Sequence, residues 1–392
     1  MAKSQRVLIG AMGKTAFDGA EYVFQNHQSS ISSYFIHALA ENRNPDIVII
    51  LLTDEARESQ WEGKDKLQAW FSGSLPQVNL VPIRIPKGGN IDEAWDIFEA
   101  IASAIPEGAD VTVDITNGLR SIPVLLLSAM RYLQNAKHIN ISEIYYCAFD
   151  TVEKPESKPV YPLSLFNALL DWSNAVSTFE KTGKSNLLAE VLEQNALANL
   201  GENWSRISAV LVDLSLSLDL LRVESVMKLS SQLDKLLKDI NILDLSNTLR
   251  PFVLLLSEIR SQFSRFAMED TRNPQRAAIF LSKLLDLMDW YINHSRYSEA
   301  LLLAREWFIS SYMLRDGNPR FFSYESREKA VSELNENARN STLSLSDDLL
   351  LWKDLRNARN DLAHPFSDAP KDVDALIKQV KTLKTKLRKM AV

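Results

Sequence analysis

Cysteine is nearly absent: Cys147 stands alone in 392 residues, which excludes an intramolecular disulfide and any multi-cysteine zinc site and fits a reducing cytosol. No uncharged apolar run reaches the ~18 residues that a membrane-spanning helix needs, so no membrane partner is expected. The start, Met1 to Arg6, is positively charged, but the apolar stretch behind it, Val7 to Met12, is short and has no small-residue cleavage pattern. No signal peptide is read there, and the expected location is the cytoplasm. An overall basic excess is also missing, since 44 Lys and Arg against 50 Asp and Glu leave a formal charge of -6. Any nucleic-acid contact must therefore be a local patch of Lys and Arg. His27, His37, His138 and His294 are scattered and form no ligand pair, so no metal is expected. What remains is ordinary globular composition, 46% apolar and 24% charged, in a chain long enough for two or three domains.

The first half alternates strand and helix. Val7-Leu8-Ile9 is a short apolar run ending in Gly10, and Ser30 to Arg43 places apolar residues at helical spacing. Pro45-Asp46 stops that helix, and Ile47 to Leu52 is a continuous apolar run of the kind that parallel strands buried on both faces show. A helix over Ser59 to Phe71, a strand over Asn79 to Ile85 and a helix N-capped by Asn90 come next. Val111 to Ile115, Pro123 to Gln134 and Ile144 to Phe149 read as strand, helix and strand. This alternation predicts a doubly wound α/β domain. Such sheets bind ligands beyond the carboxyl ends of their strands where the strand order reverses, expected here between the first and fourth strands.

Both of those strands end in unusual loops. Gly10-Ala11-Met12-Gly13-Lys14-Thr15 offers a flexible turn with a cation and a hydroxyl. Asp114-Ile115-Thr116-Asn117-Gly118-Leu119-Arg120 leads into a helix N-terminus, where free N–H groups and the dipole favour an anion. Glycine admits a phosphate, Arg120 can pair with one, and Thr116 and Asn117 can bond a base or ribose. Gly13-Lys14-Thr15 is no true P-loop, since leucine stands at position 8 where the motif needs glycine. Each loop alone could be only a tight turn and a helix start; together they predict a nucleotide or phosphate ligand.

Thr151 to Pro162 is rich in proline and charge and reads as a linker or domain edge. Beyond it amphipathic stretches predict an all-α region, with helices over Leu163–Lys181, Asn186–Asn199, Trp204–Lys238, Leu249–Phe266, Gln275–Tyr291, Tyr297–Leu314, Ser346–Ala363 and Val373–Lys389. In Leu355 to Pro365, Arg356, Asn360 and His364 fall at i, i+4 and i+8, with Arg359 beside them. A histidine that moves protons, an arginine that holds phosphate and an amide that orients them are what attack of an RNA 2′-hydroxyl on its own phosphate requires. The same histidine, just before Pro365, also reads as a helix C-cap, with the arginines paired to Asp354 or Asp361. The run Lys378, Lys381, Lys384, Lys386, Arg388, Lys389 has no intervening acid, which suits RNA steering or a solvated helix end.

Asp114 to Pro123 resembles the signature of CARF domains, the Rossmann-like sensors of CRISPR systems, and Thr53-Asp54-Glu55-Ala56 is similar to the same family. Arg359-Asn360-x-x-x-His364 resembles the R-x(4–6)-H motif of HEPN ribonucleases, and Glu299 to Trp307 resembles a helix of the CRISPR-linked HEPN group. The resemblance implies a type III CRISPR accessory ribonuclease in three parts: an N-terminal Rossmann-like CARF domain with a parallel-rich sheet over 1–162, a connecting helical region over 163–293 and a helical HEPN domain over 294–392. It implies a homodimer, or a higher oligomer, whose CARF domains bind a cyclic oligoadenylate activator, tetra-adenylate first and hexa-adenylate as the alternative. No other cofactor is implied. The matching activator positions are Gly10, Met12, Gly13, Lys14, Thr15, Thr53, Glu55, Thr116, Asn117, Gly118, Leu119 and Arg120. The implied catalytic residues are Arg359 and His364 with Asn360 in support, cleaving single-stranded RNA without metal to 2′,3′-cyclic phosphate ends. Rival readings are a non-catalytic sensor or regulatory module, against which the intact R-x(4)-H argues, and a CARF domain that also degrades its activator. DNA-binding regulation fits the acidic charge least.

Overall fold

The structure is a computed structural model that describes residues 4–15, 19–24, 27–28, 31–149, 157–195, 202–240, 249–318, 320, 322–340, 346–364 and 371–390. The chain divides into two compact units, Met1–Asn167 and Ala168–Val392.

In the first unit, β1 (Arg6–Ala11), β2 (Glu21–Phe24) and β3 (His27–Gln28) precede α1 (Phe35–Arg43), β4 (Ile47–Leu52), α2 (Asp54–Gln60) and α3 (Leu67–Ser74). Then come β5 (Asn79–Arg84), α4 (Ile91–Ala104), β6 (Asp110–Asp114), α5 (Ser121–Ala136), β7 (Asn140–Cys147) and β8 (Ser157–Pro162). The described strands form one sheet in the order β3-β2-β8-β7-β6-β1-β4-β5. β1 lies parallel between β4 and β6, with Leu8 opposite Val48 on one side and Thr112 on the other. The strand order therefore reverses between β1 and β6, the expected switch point.

Side chains alternate across a strand, and both faces of the central strands are covered. Leu8, Val48 and Ile50 pack with Phe35, Leu39 and Phe71, whereas Val7, Ile9, Ile49 and Val113 pack with Ile97, Ile101, Leu126 and Met130. Asn90 caps α4 reciprocally: the Glu93 N–H donates to Asn90 Oδ1 at 2.9 Å, and Asn90 Nδ2 donates to the Glu93 carboxylate at 3.0 Å.

Several elements of this unit differ from the sequence expectation. The single helix over Ser59–Phe71 is two helices, α2 and α3. Thr53 opens a helix earlier by accepting the Ala56 N–H at 3.3 Å, and Gly63, at φ 143°, keeps the chain out of helix between Gln60 and Leu67. Of the proline-rich Thr151–Pro162 stretch, residues 151–156 lie outside the described residues, and Ser157–Pro162 is β8, antiparallel to β7 and parallel to β2. β2 itself had no signal strong enough to be read.

The second unit contains α6 (Ser164–Thr182), which begins just before the boundary, α7 (Asn186–Asn195), α8 (Glu202–Asp219), α9 (Val223–Lys238) and α10 (Arg250–Ser264). It continues with α11 (Ala277–Asn293), α12 (Tyr297–Arg315), α13 (Tyr324–Asn340), α14 (Asp347–Ala363) and α15 (Val373–Met390). One continuous apolar core runs through these helices, with Trp290, Trp307 and Trp352 fully buried. The expected Trp204–Lys238 helix is two, α8 and α9, broken where Leu221 takes φ 52°. The break is fixed from outside the segment: the Tyr291 hydroxyl donates to the Leu218 carbonyl at 2.7 Å. A local sequence signal such as glycine is absent there.

Candidate functional site

The carboxyl ends of β1, β4 and β6 open onto one cleft of about 350 Å³, lined by Met12, Gly13, Lys14, Thr15, Thr53, Glu55, Lys87, Thr116, Asn117, Gly118 and Leu119. The loops after β1, β4, β5 and β6, four separated stretches of sequence, thus meet at the switch point, the usual ligand position of an open α/β sheet.

Each wall is held by the fold. After β1 the Met12 N–H continues the ladder to the Leu51 carbonyl at 3.0 Å, and Gln60 Nε2 donates to the Lys14 carbonyl at 3.0 Å. Thr53, at the end of β4, both caps α2 and lines the cleft. After β6, Asp114 is fully buried; its Oδ1 accepts the Thr116 N–H at 2.8 Å, while the Thr116 hydroxyl accepts the Cys147 N–H at 2.9 Å. These two bonds tie the loop to β6 and β7. Asp114 Oδ2 is buried without a hydrogen-bond partner among the described residues. Burial pushes the Asp114 carboxyl up to about 6 against the pull of its Thr116 bonds, and burial beside Asp114 pushes the Cys147 thiol up to about 12.

Gly118 sits at φ 108°, and a Cβ there would lie 3.0 Å from Ala11 Cβ, so both the loop conformation and its approach to the β1 loop require glycine. Gly10 does not line the cleft; a Cβ on it would meet Ile36 Cδ1 at 2.7 Å and Asp114 Cβ at 2.9 Å, so its glycine serves packing beneath the cleft. Arg120 is exposed at the N-cap position of α5 and is not among the lining residues.

Lys87 was not singled out in the sequence. It stands two residues beyond Ile85 in the Pro86–Asn90 loop, after the third parallel strand of the sequence reading, and pairs with Glu55 across the cleft. That bond holds the Glu55 carboxyl below the usual range and raises the Lys87 ammonium. A lysine followed by Gly88-Gly89 at a strand's carboxyl end was the available signal. With Lys14 and Lys87 against one carboxylate, three hydroxyls, an amide and the uncapped start of α5, the cleft suits an anion carrying further polar edges.

The second set of expected residues lies at the end of α14. Arg359, Asn360 and His364 are all exposed. Arg359 Nη1 donates to Asn360 Oδ1 at 3.3 Å, and His364 occupies the C-cap, its backbone N–H donating to the Asn360 carbonyl at 2.9 Å. The His364 ring has no hydrogen-bond partner among the described residues. Arg356 points elsewhere, sharing Asn335 Oδ1 with the Trp352 indole, at 3.4 and 3.1 Å. Pro365 lies outside the described residues.

The fold and cleft define the first unit as an open doubly wound domain with a ligand crevice at its switch point. Residues 7–153 match the family described as CRISPR system endoribonuclease Csx1, CARF domain, and residues 168–273 match CRISPR-associated protein MJ1674, second domain. The latter match starts where the second compact unit starts. A CRISPR-associated protein MJ1674 of Methanocaldococcus jannaschii is 28% identical over 127 residues, covering 32% of this chain and 20% of that protein, so the match spans about a fifth of the relative's length. Enterococcus italicus Csm6 bound to cyclic hexa-2′-fluoro-hexa-dAMP aligns at a TM-score of 0.45 and 13% identity, over 99% of this chain and 94% of that one. The first unit is thus similar to a CARF domain, and the start of the second to a domain of a CRISPR-associated protein. Among the described residues no helix is long and apolar enough to cross a membrane.

Proposed function

We propose that the chain is an endoribonuclease switched on by a cyclic oligoadenylate, tetra-adenylate first and hexa-adenylate second, in antiviral defence. The observation that carries the reading is the convergence of Lys14, Lys87, the three threonines and Asn117 on one cleft of a CARF domain. Lys14 and Lys87 meet phosphates, and Asn117, Thr116 and Glu55 meet base or ribose edges. In a homodimer both copies of the cleft engage one ring. The ring shifts the dimer only by binding its active state more tightly than its inactive one.

Cleavage is assigned to Arg359 and His364, with Asn360 in support through its bond to Arg359. The 2′-oxygen attacks phosphorus, the bond to the 5′-oxygen breaks, and the products are a 2′,3′-cyclic phosphate and a 5′-hydroxyl. One proton leaves the 2′-hydroxyl and one reaches the 5′-oxygen, which is work for an imidazole that can both accept and donate a proton. Arg359 stabilises the charge of the crowded phosphorane. No metal enters this scheme. Support comes from the exposed, unengaged His364 ring and the Arg359–Asn360 pair at one helix end. The domain reading that goes with it is a sensor over 1–162, connecting helices over 163–293 and a nuclease over 294–392.

The test is cleavage of a fluorescent single-stranded RNA in EDTA with cyclic tri-, tetra- or hexa-adenylate or none. Activity is expected with one ring size only, and a fall of at least about a thousandfold in His364→Ala, the order that loss of acid–base catalysis and site geometry together reaches. Tight ring binding with no cleavage by the wild type would replace this reading with a non-catalytic sensor.

A further inference from the structure

α15 carries six basic side chains and one acid, Asp374, and the structure sorts the bases into two groups. Val380, Leu383 and Leu387 are its buried side. On the flank, Lys384 pairs with Asp289 at 2.8 Å, Arg388 with Asp286 at 3.0 Å and with Asp289, and Lys386 with Asp354 at 2.9 Å. Those cations are already neutralised and tie α15 to α11 and α14. Lys378, Lys381 and Lys389 are exposed and have no carboxylate at ion-pair distance among the described residues; Lys381 lies over the Tyr297 ring at 5.9 Å.

At 3.6 residues per turn, these three lysines fall within about 80° of one another, on the side of the helix opposite Val380, Leu383 and Leu387. Thr382 and Thr385 stand between them, exposed, and the same residues line an open surface hollow with Asp374, Ile377 and the already paired Lys386. The ridge runs about 16 Å from Lys378 to Lys389 at 1.5 Å per residue, enough to follow several phosphates of an extended strand. α15 packs beside α14 in the opposite direction: the Lys371 N–H donates to Asp361 Oδ1 at 3.2 Å, and Gln379 Nε2 donates to the Asp354 carbonyl at 3.4 Å. The ridge therefore belongs to the helix next to the one bearing Arg359 and His364.

We infer that the outward ridge of α15, Lys378, Lys381 and Lys389 with Thr382 and Thr385, is the track along which single-stranded RNA backbone is held on its way to the end of α14. The occupant is argued from charge: in a chain of net charge -6, a ridge of unneutralised lysines with hydroxyls and a single acid complements a polyphosphate strand. Contact there is to phosphate and hence independent of base sequence. The inference rests on the RNA-cleaving reading above.

The experiment measures binding of a labelled 20-nucleotide single-stranded RNA to His364→Ala protein across a salt series, with and without K378Q/K381Q/K389Q. Glutamine keeps helix propensity and removes charge at exposed positions. The triple variant is expected to bind roughly tenfold more weakly, with the log–log salt slope reduced by about 2, the value for three phosphates on a single strand. The same three changes in His364-bearing protein are expected to raise KM and leave kcat within about twofold. Unchanged affinity and slope would overturn the track, while cleavage by wild type would leave the nuclease reading standing. A variant that binds RNA normally but changes oligomeric state would overturn it too, assigning the ridge to an interface between copies. Lysine-dependent RNA binding by a wild type that cuts nothing would keep the surface and sink the nuclease.

Discussion

Asp114 is the residue on which the cleft's third wall depends. It accepts the Thr116 N–H, lies fully buried and keeps one oxygen unpartnered, so it is held largely by its own chain and little by solvent. With the folded-state value at about 6 and an unfolded aspartate near 3.9, the protonated form is favoured by folding. The contribution is fully present below about pH 3.9 and is lost as pH rises through about 6, a difference of about 3 kcal/mol. Urea unfolding of wild type and Asp114→Asn across pH 4 to 7 checks this: the stability of wild type relative to the variant is expected to fall with rising pH by that order, and a parallel pair of curves would refute it. At this scale the sequence was legible in part. The motif marked Thr116 to Leu119 through its glycine and polar residues, but it gave no reason to separate Gly10, which packs beneath the cleft, from Gly13, which lines it. Lys87 stayed hidden because its partner Glu55 is far away in sequence.

Among elements, α15 is fastened to α11 by a cluster of opposite charges. Arg388 donates to Asp286 and Asp289, both through side chains only partly open to water, and Lys384 completes the group. Arg388→Ala is expected to cost about 1–2 kcal/mol, more than a lone surface pair because Asp289 loses a partner while half-enclosed. The check is a lower urea midpoint at unchanged slope, with the loss shrinking in high salt. Elements with strong periodicity or caps, such as α4 behind Asn90 and α14 behind Ser346, could be read directly, since the cap and the apolar stripe are local. Where a distant partner decides, the reading failed: the α8–α9 break is held by Tyr291, and α13, polar over most of its length, is placed by packing of Ala330 and Leu334.

For the whole molecule, two units with separate cores predict two unfolding transitions. On the activator reading, a ring bound in the cleft contacts the first unit and stabilises it directly. At a hundred times its dissociation constant it adds about 2.7 kcal/mol, which in a unit of this size moves one transition by about 5–10 °C. Calorimetry with cyclic tetra-adenylate is expected to raise the first unit's transition by that amount and the second's by less; no shift with any ring would remove the activator assignment. The α/β-then-α order of the chain was visible in the change from alternating runs to leucine-rich amphipathic stretches, a signal that survives because it averages over many residues. β2, β3 and β8 were not, being short or rich in proline.

β8 has a practical consequence for anyone isolating the first unit. It lies inside the sheet, between β2 and β7, although the matched family region stops at residue 153. A fragment cut at that limit would strip out an interior strand and leave two ragged borders of unpaired peptide groups, ready to recruit other chains. Such a fragment should precipitate on expression, whereas one carried through Asn167 should remain dispersed.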